Sequence, residues 1–320
     1  MNTSGDSSSV EPQARPTVNN ADHTSSGAPQ ARPTTSELLT LDNTAIVLDS
    51  TCDPPDGYFD QPGLYLVPLK VHFGDQMFRD GVDMTHKQFF ARLKESDILP
   101  TTSQPTAGEF TAAYEEAKKH YEYVFSLHIS GDMSGTVRAA EQAAGQFDNV
   151  FVYDMRTVTT SLSLGAERLR ARLKKGCTLD EARAYVEKFR DESHVIIHAA
   201  TLEYLRRGGR IGLAASFVGG VFDIKPLIHV VDGTMTGYAK VRGQKKAFAG
   251  IQRYVEERSK PDDELWFVTI DADNDVEPQQ IRELVESIRP KAHFVFQGHV
   301  AAVVGTHIGP GTAAFAMIVE

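Results

Sequence analysis

Three short stretches of this 320-residue chain concentrate hydroxyl side chains beside apolar runs. They are Thr101-Thr102-Ser103-Gln104-Pro105-Thr106, Ser130-Gly131-Asp132-Met133-Ser134-Gly135-Thr136 and Gly305-Thr306-His307-Ile308-Gly309-Pro310-Gly311-Thr312. Together they offer many hydrogen-bond donors, several glycines and one imidazole, with Asp132 as their one fixed negative charge. Donors without acids suit holding an anion better than breaking a bond. If the stretches converge, they grip a carboxylate or a phosphate. Hydrogen bonds to a charged group contribute roughly 1.5–3 kcal/mol each, so a few of them would hold such a group in a dry site.

In the second stretch an apolar run ends and Ser134-Gly135-Thr136 opens a helical pattern. First-turn N–H groups of a helix lack intrahelical partners and carry partial positive charge, which favours an anion. Gly135 lets a ligand approach the backbone, while Ser134 and Thr136, like Ser103 in the first stretch, add hydroxyl donors. Ser, Thr and Gly serve equally in ordinary caps and turns, and spacing alone leaves both readings open. His307, set among glycines, is a charged donor when protonated and a donor or base when neutral.

Two other classes of function use the same residues. A Ser-dependent lipid or ester hydrolase would activate Ser134 with His307 and orient the imidazole with Asp49 or Asp53. The order Gly131-Asp132-Met133-Ser134-Gly135 misses the G-x-S-x-G elbow by one position. A binder of a non-lipid small anion would need a smaller or more polar pocket. Gly208-Gly209-Arg210-Ile211-Gly212 follows a helical pattern rather than a strand, so it reads as a helix stop and not a dinucleotide loop. There is no G-x-x-x-x-G-K-[ST], and His194 and His198 lack a further ligand type nearby. Neither a metal nor a cofactor is expected.

Composition narrows the class. Lys+Arg 33 against Asp+Glu 43 gives a net charge of −10, which argues against nucleic acid or an anionic membrane as the main partner. Cys52 and Cys177 form no CxxC pair, and the start of the chain lacks the basic and apolar segments of a signal peptide. No run approaches the roughly 18 apolar residues of a membrane span. These features lead us to expect a cytoplasmic protein without stable membrane insertion.

The elements that must position these residues alternate. Residues 1–43 are rich in Ser, Thr and Pro and repeat Pro-Gln-Ala-Arg-Pro-Thr at Pro12 and Pro29, a composition expected to stay disordered as a spacer. Residues 44–158 predict an α/β domain. Its strands are Thr44–Asp49, Leu64–Val71 (with Pro68 suggesting an edge or bulge), Tyr123–Ile129 and Asn149–Asp154. Its helices are Thr85–Glu95, one behind the Thr106–Glu109 capping box, and Val137–Phe147. The alternation implies a parallel sheet.

Residues 159–320 predict an α+β domain. It begins with helices over Ser161–Lys174 and, behind the Thr178–Glu181 capping box, Leu179–Asp191. Strand Val195–Ala199 and a hairpin turning at Asp232-Gly233 follow, then helix Gln244–Arg258, strand Leu265–Ile270 and helix Pro278–Ser287. Val300–Val304 and Ala314–Val319 are expected as closing strands around the third stretch.

Seven motifs occur in the order seen in the DegV family, which includes the fatty-acid-binding subunits of bacterial fatty acid kinase. They are Asp49-Ser50-Thr51-Cys52-Asp53, Thr102-Ser103-Gln104-Pro105, Ser134-Gly135-Thr136, Leu205-Arg206-Arg207-Gly208-Gly209-Arg210-Ile211, Lys225-Pro226-Leu227, Arg242 with Lys245-Lys246, and His307-Ile308-Gly309-Pro310-Gly311. The chain thus resembles that family from about residue 44 onward. The resemblance implies a two-domain α/β fold with a long-chain fatty acid in a tunnel, its carboxylate held by Thr102, Ser134 and His307. It implies a separate ATP-binding kinase subunit that phosphorylates the acyl carboxylate, with Arg210 and Arg242 docking that partner. The chain itself would then be a carrier and not an enzyme. Phe217 and Phe222, in a stretch of small residues, are candidates for the tunnel wall. Departures from the pattern are Gly131 where a Ser is frequent, Met133 for Leu and Cys52 for Ala.

Overall fold

The computed structural model describes residues 38–217 and 225–320. β1 (Thr44–Asp49) is an apolar run buried at every position, and it sits inside a four-stranded sheet. β2 (Leu64–Val67) flanks it on one side; β6 (Tyr123–His128) and then β7 (Val150–Asp154) lie on the other. All three pairings are parallel, with Ile46 opposite both Leu64 and Phe125. Parallel neighbours need crossovers, which helices supply. α2 (Ala107–Lys118) and α3 (Thr136–Ala144) cover one face, packing Phe110, Tyr114 and Ala140 on Ala45, Val47 and Val124.

The second sheet is six-stranded. Its strands are β8 (His194–His198), β9 (Lys225–Val231), β10 (Thr234–Val241), β11 (Leu265–Ala272), β12 (Ala292–His299) and β13 (Thr312–Val319), in the order β10-β9-β8-β13-β11-β12. Only β11 and β12 pair in parallel. The hairpin turns at Asp232 (φ 47°) and Gly233 (φ 81°), as the sequence predicts. α4 (Thr160–Leu173) joins the two sheets. Its Leu162, Leu164 and Leu169 share one apolar core with Ile46 and Phe125 of the first sheet and with Val268 and Ala314 of the second. The helix that opens the second predicted block therefore packs on both blocks. α5 (Leu179–Glu192), α7 (Gln244–Glu256) and α8 (Glu277–Ile288) complete the second layer.

Several expectations need correction. The single strand over Leu64–Val71 is divided at Pro68, which has no N–H to donate and restricts Val67. Its second half is β3 (Lys70–Phe73), the centre of a separate antiparallel sheet between β4 (Gln76–Arg79) and β5 (Thr101–Ser103). The first hydroxyl stretch thus begins as a strand. β12 has no counterpart in the sequence reading. The segment read as strand Val300–Val304 is instead the lead into α9 (Ala302–Ile308), so His307 stands on a helix and not in a loop. The reason lies far away in sequence. Asp53 Oδ1 accepts the Ala301 N–H at 2.9 Å, and Asp80 Oδ1 accepts the Val303 N–H at 3.1 Å. These carboxylates satisfy donors that a helix start leaves open.

The remaining helices are α1 (His86–Glu95), capped by a Thr85–Gln88 box, and the short α6 (Glu203–Arg207). The boxes at Thr106 and Thr178 also form. Residues 1–37, with the duplicated hexapeptide, lie outside the described residues, as does Phe222. No described helix is long and apolar enough to cross a membrane.

The expected tail boundary at residue 43 is too late. Leu39 is buried in the core and exchanges two backbone hydrogen bonds with Cys177, at 2.7 and 3.1 Å. Leu39→Ala is expected to cost about 2–5 kcal/mol, the usual range for a buried leucine. Truncation after residue 43 should accordingly melt lower than truncation after residue 37, measured by thermal denaturation. Equal melting temperatures would show that Leu39 contributes little.

Candidate functional site

The site is assembled where β5, the start of α3 and the end of α9 meet. Pairing of β5 with β3 places Thr102 opposite Val71. From there Thr102 Oγ1 lies 3.0 Å from His307 Nε2, a bond between residues 205 positions apart. Ser134 stands just before α3; its N–H donates to the Ser130 carbonyl at 3.1 Å, and its Oγ lies 2.8 Å from Thr136 Oγ1. Gly135 is the N-cap residue of α3. A Cβ built there would fall 2.1 Å from Gln104 Oε1, so glycine lets the Gln104 side chain of the first stretch lie directly against the second. Gly208 serves His307 in the same way, since a Cβ there would meet Nδ1 at 2.1 Å.

The three stretches do converge, around a cavity of ≈ 270 Å³. Its polar lining includes Thr102, Ser103, Gln104, Ser134, Arg210 and His307. Leu69, Ile129, Val158, Leu205, Met235 and Val304 supply much of its apolar wall. A second cavity of ≈ 220 Å³ shares Thr102, Arg210 and His307 and extends to Thr101, Tyr204 and Arg207. The Thr102–His307 pair therefore stands between two compartments. Neither is lined by an Asp or a Glu among the described residues.

Each candidate residue among those described has a definite place. Thr102, Ser103, Ser134 and His307 line the larger cavity, and Ser103 Oγ also lies 2.8 Å from His72 Nε2. Thr136 and Gly135 support the site from behind rather than lining it. Arg210, expected at a docking surface, is in the walls of both cavities. Its Nε donates to the Met133 carbonyl at 3.2 Å and its Nη1 to the Gly208 carbonyl at 2.8 Å. Arg242 is exposed just beyond β10. Phe217 is not a wall of either cavity; its ring lies against Gly237 of β10, with the Lys240 ammonium 5.0 Å from the ring centre. The apolar wall was missed because it is gathered from the ends of elements in different sheets, and no local pattern marks it.

The hydrolytic triad is not assembled. Ser134 Oγ pairs with Thr136, His307 Nε2 with Thr102, and His307 Nδ1 is buried without a hydrogen-bond partner. Asp49 Oδ2 is 3.0 Å from His128 Nδ1, and Asp53 holds Thr159 Oγ1 and the Ala301 N–H. Burial, and then the charge of Arg210, push the His307 pKa down to about 4. Near neutral pH the imidazole is uncharged, and among the described residues Arg210 is the one Lys or Arg side chain lining the larger cavity.

A family model described as "Uncharacterised protein, DegV family COG1307" matches residues 43–320. The chain belongs to the DegV family. It is 35% identical over 280 residues to a DegV domain-containing protein of Deinococcus radiodurans, covering 85% of this chain and 97% of that one. Among solved structures, a fatty-acid-binding DegV family protein from Thermus thermophilus superposes with a TM-score of 0.83 at 31% identity, covering 87% of this chain and 100% of the other. DegV of Bacillus subtilis, described as a fatty acid binding protein, superposes at 0.77 with 30% identity, covering 87% and 99%. The mixed α/β architecture with its parallel sheet is thus that of the DegV family.

The state of His307 in this DegV-family chain can be read by titration. With a folded pKa of about 4 against an ordinary 6.5, the unfolded chain binds more protons between those values. Stability therefore rises with pH through that window, and it is lost as pH falls toward about 4. His307→Gln, which cannot protonate, should flatten that part of the profile of denaturant midpoint against pH. His194, also lowered to about 4 by burial and Arg258, should leave a residual slope, opposed by Asp80, whose pKa burial raises to about 6. An NMR titration placing His307 near its ordinary value would contradict this account.

Proposed function

We propose that this chain sequesters a long-chain fatty acid and presents its carboxylate to a separate ATP-dependent kinase for acyl-phosphate formation. The observation that carries the reading is the ≈ 270 Å³ cavity, apolar over much of its wall, with Thr102, Ser134, His307 and Arg210 gathered in its lining and no acid among them. An apolar tail and an anionic head satisfy both halves of that lining. Each buried methylene contributes about 0.8 kcal/mol, so the tail supplies most of the affinity and the head group mainly the orientation. The fatty-acid-binding relatives from Thermus thermophilus and Bacillus subtilis support the ligand class.

The kinase half of the reading rests on chemistry that the chain's own residues do not supply. The sequence has no Walker phosphate loop, and neither cavity offers a carboxylate base. On this reading phosphoryl transfer falls to a separate partner. Arg242, exposed beyond β10, remains the docking candidate, whereas Arg210 would act at the carboxylate itself.

Native mass spectrometry of the gently purified protein should show a co-purifying fatty acid. Its absence, together with failure to bind added oleate or palmitate, would sink the proposal. Thr102→Ala should weaken oleate binding about tenfold or more, the loss expected for a hydrogen bond to a charged group. With a fatty acid kinase and ATP, Arg242→Ala should keep oleate binding but slow acyl-phosphate formation, while Arg210→Ala should reduce both. Equal loss of binding in Arg242→Ala would assign that residue to the fold. Turnover of acyl esters that disappears in Ser134→Ala would favour the hydrolase instead.

A further inference from the structure

Asp49 is fully buried at the end of β1, and four donors converge on its carboxylate. Oδ1 accepts the Thr51 N–H at 3.0 Å and the Thr51 hydroxyl. Oδ2 accepts the Ile129 N–H at 3.0 Å and faces His128 Nδ1 at the same distance. The other ring nitrogen, Nε2, is 2.6 Å from Ser126 Oγ, which in turn is 2.8 Å from Tyr114 Oη. One proton arrangement satisfies every member: Tyr114 donates to Ser126, Ser126 to His128, and His128 to Asp49. Aspartate, histidine and serine in this order resemble a hydrolytic relay. All three are closed to solvent, however, and none lines either cavity of the site.

What the relay touches is the head-group site. Thr51 and Ile129 are wall residues of the larger cavity. Ile129 leads into Ser130, whose carbonyl receives the Ser134 N–H. Tyr114 belongs to α2, whose cap Thr106 follows directly on the stretch that carries Thr102 and Gln104. We infer that Asp49 is a positioning residue of the head-group site: it fixes Thr51 and Ile129 in the cavity wall and, through His128, Ser126 and Tyr114, holds the first two hydroxyl stretches in register. The inference rests on the reading that this cavity holds a fatty-acid carboxylate. A fully satisfied buried network specifies position because any mismatched donor within it is costly.

Asp49→Asn keeps the shape but turns an NH2 toward one pair of donors. Ser126→Ala cuts the relay with less disturbance. In the full chain, each variant is expected to weaken oleate binding about tenfold. Each should also speed amide hydrogen exchange at residues 129–136 in the ligand-free protein while leaving β13 unchanged. A merely structural role would lower the melting temperature with oleate affinity and local exchange at wild-type values, and that result overturns the inference. If Asp49→Asn does not fold, Ser126→Ala decides by the same two readouts. Wild-type protein that binds no oleate sinks the fatty-acid reading alone, and the exchange measurement still decides whether Asp49 positions the stretches.

Discussion

Two buried carboxylates hold the start of the segment that carries His307, and the site depends on them. Asp53 and Asp80 are both fully buried, and each accepts an N–H from the first residues of the α9 region. Burial raises both pKa values, that of Asp80 to about 6, against the lowering effect of the N–H groups they accept. Between its ordinary 3.8 and about 6 the folded state binds the extra proton at Asp80, so this group opposes folding as pH rises through that window. The fold tolerates that cost at a joint whose geometry sets where His307 meets Thr102. Asp53 adds a second hold, accepting from Thr159 at a backbone position (φ 59°) that a β-branched residue rarely adopts.

That joint also anchors α4. Thr159 precedes it, and its apolar residues fill the space between the two sheets. The cavity wall takes Ile129 and Val158 from the first-sheet side, and Met235 and Val304 from the second-sheet side. Shifting one sheet against the other would therefore open the cavity, while the Thr102–His307 bond ties the small β4-β3-β5 sheet to α9. The volume of the cavity is set by that one packing arrangement.

Local chemistry was legible in the sequence where one segment decided the outcome. The Thr106 and Thr178 capping boxes, the Asp232-Gly233 turn and the run of β1 each carry their own instruction. The donor-rich, acid-poor character of the hydroxyl stretches was legible, but their convergence was not, since spacing alone leaves caps and turns open. What escaped were features settled across the fold. α9 reads as an apolar strand until Asp53 and Asp80 supply its first hydrogen bonds. Phe217 was assigned to the tunnel because a large apolar residue among small ones suggests a wall, yet Gly237 of β10 gives its ring a closer seat. Arg210 is exposed, as the docking expectation requires, and its place in the cavity wall comes from two backbone carbonyls that hold its guanidinium there.

The neutral state of His307 bears on how a carboxylate would be held. A protonated imidazole beside Arg210 would put two cations on one carboxylate and bind it as a tight, charge-assisted ion pair. With the imidazole uncharged, one cation and several neutral donors line the cavity, so on the proposed reading orientation would come from Thr102, Ser134 and His307 while less electron density would be drawn from the oxygens. An acceptor for phosphoryl transfer needs that density, because its oxygen must form the new bond to phosphorus. A carrier that must also release its cargo gains from the same choice, since its hold rests mainly on the apolar tail. On the proposed reading, the burial that keeps His307 neutral would serve presentation better than a second positive charge.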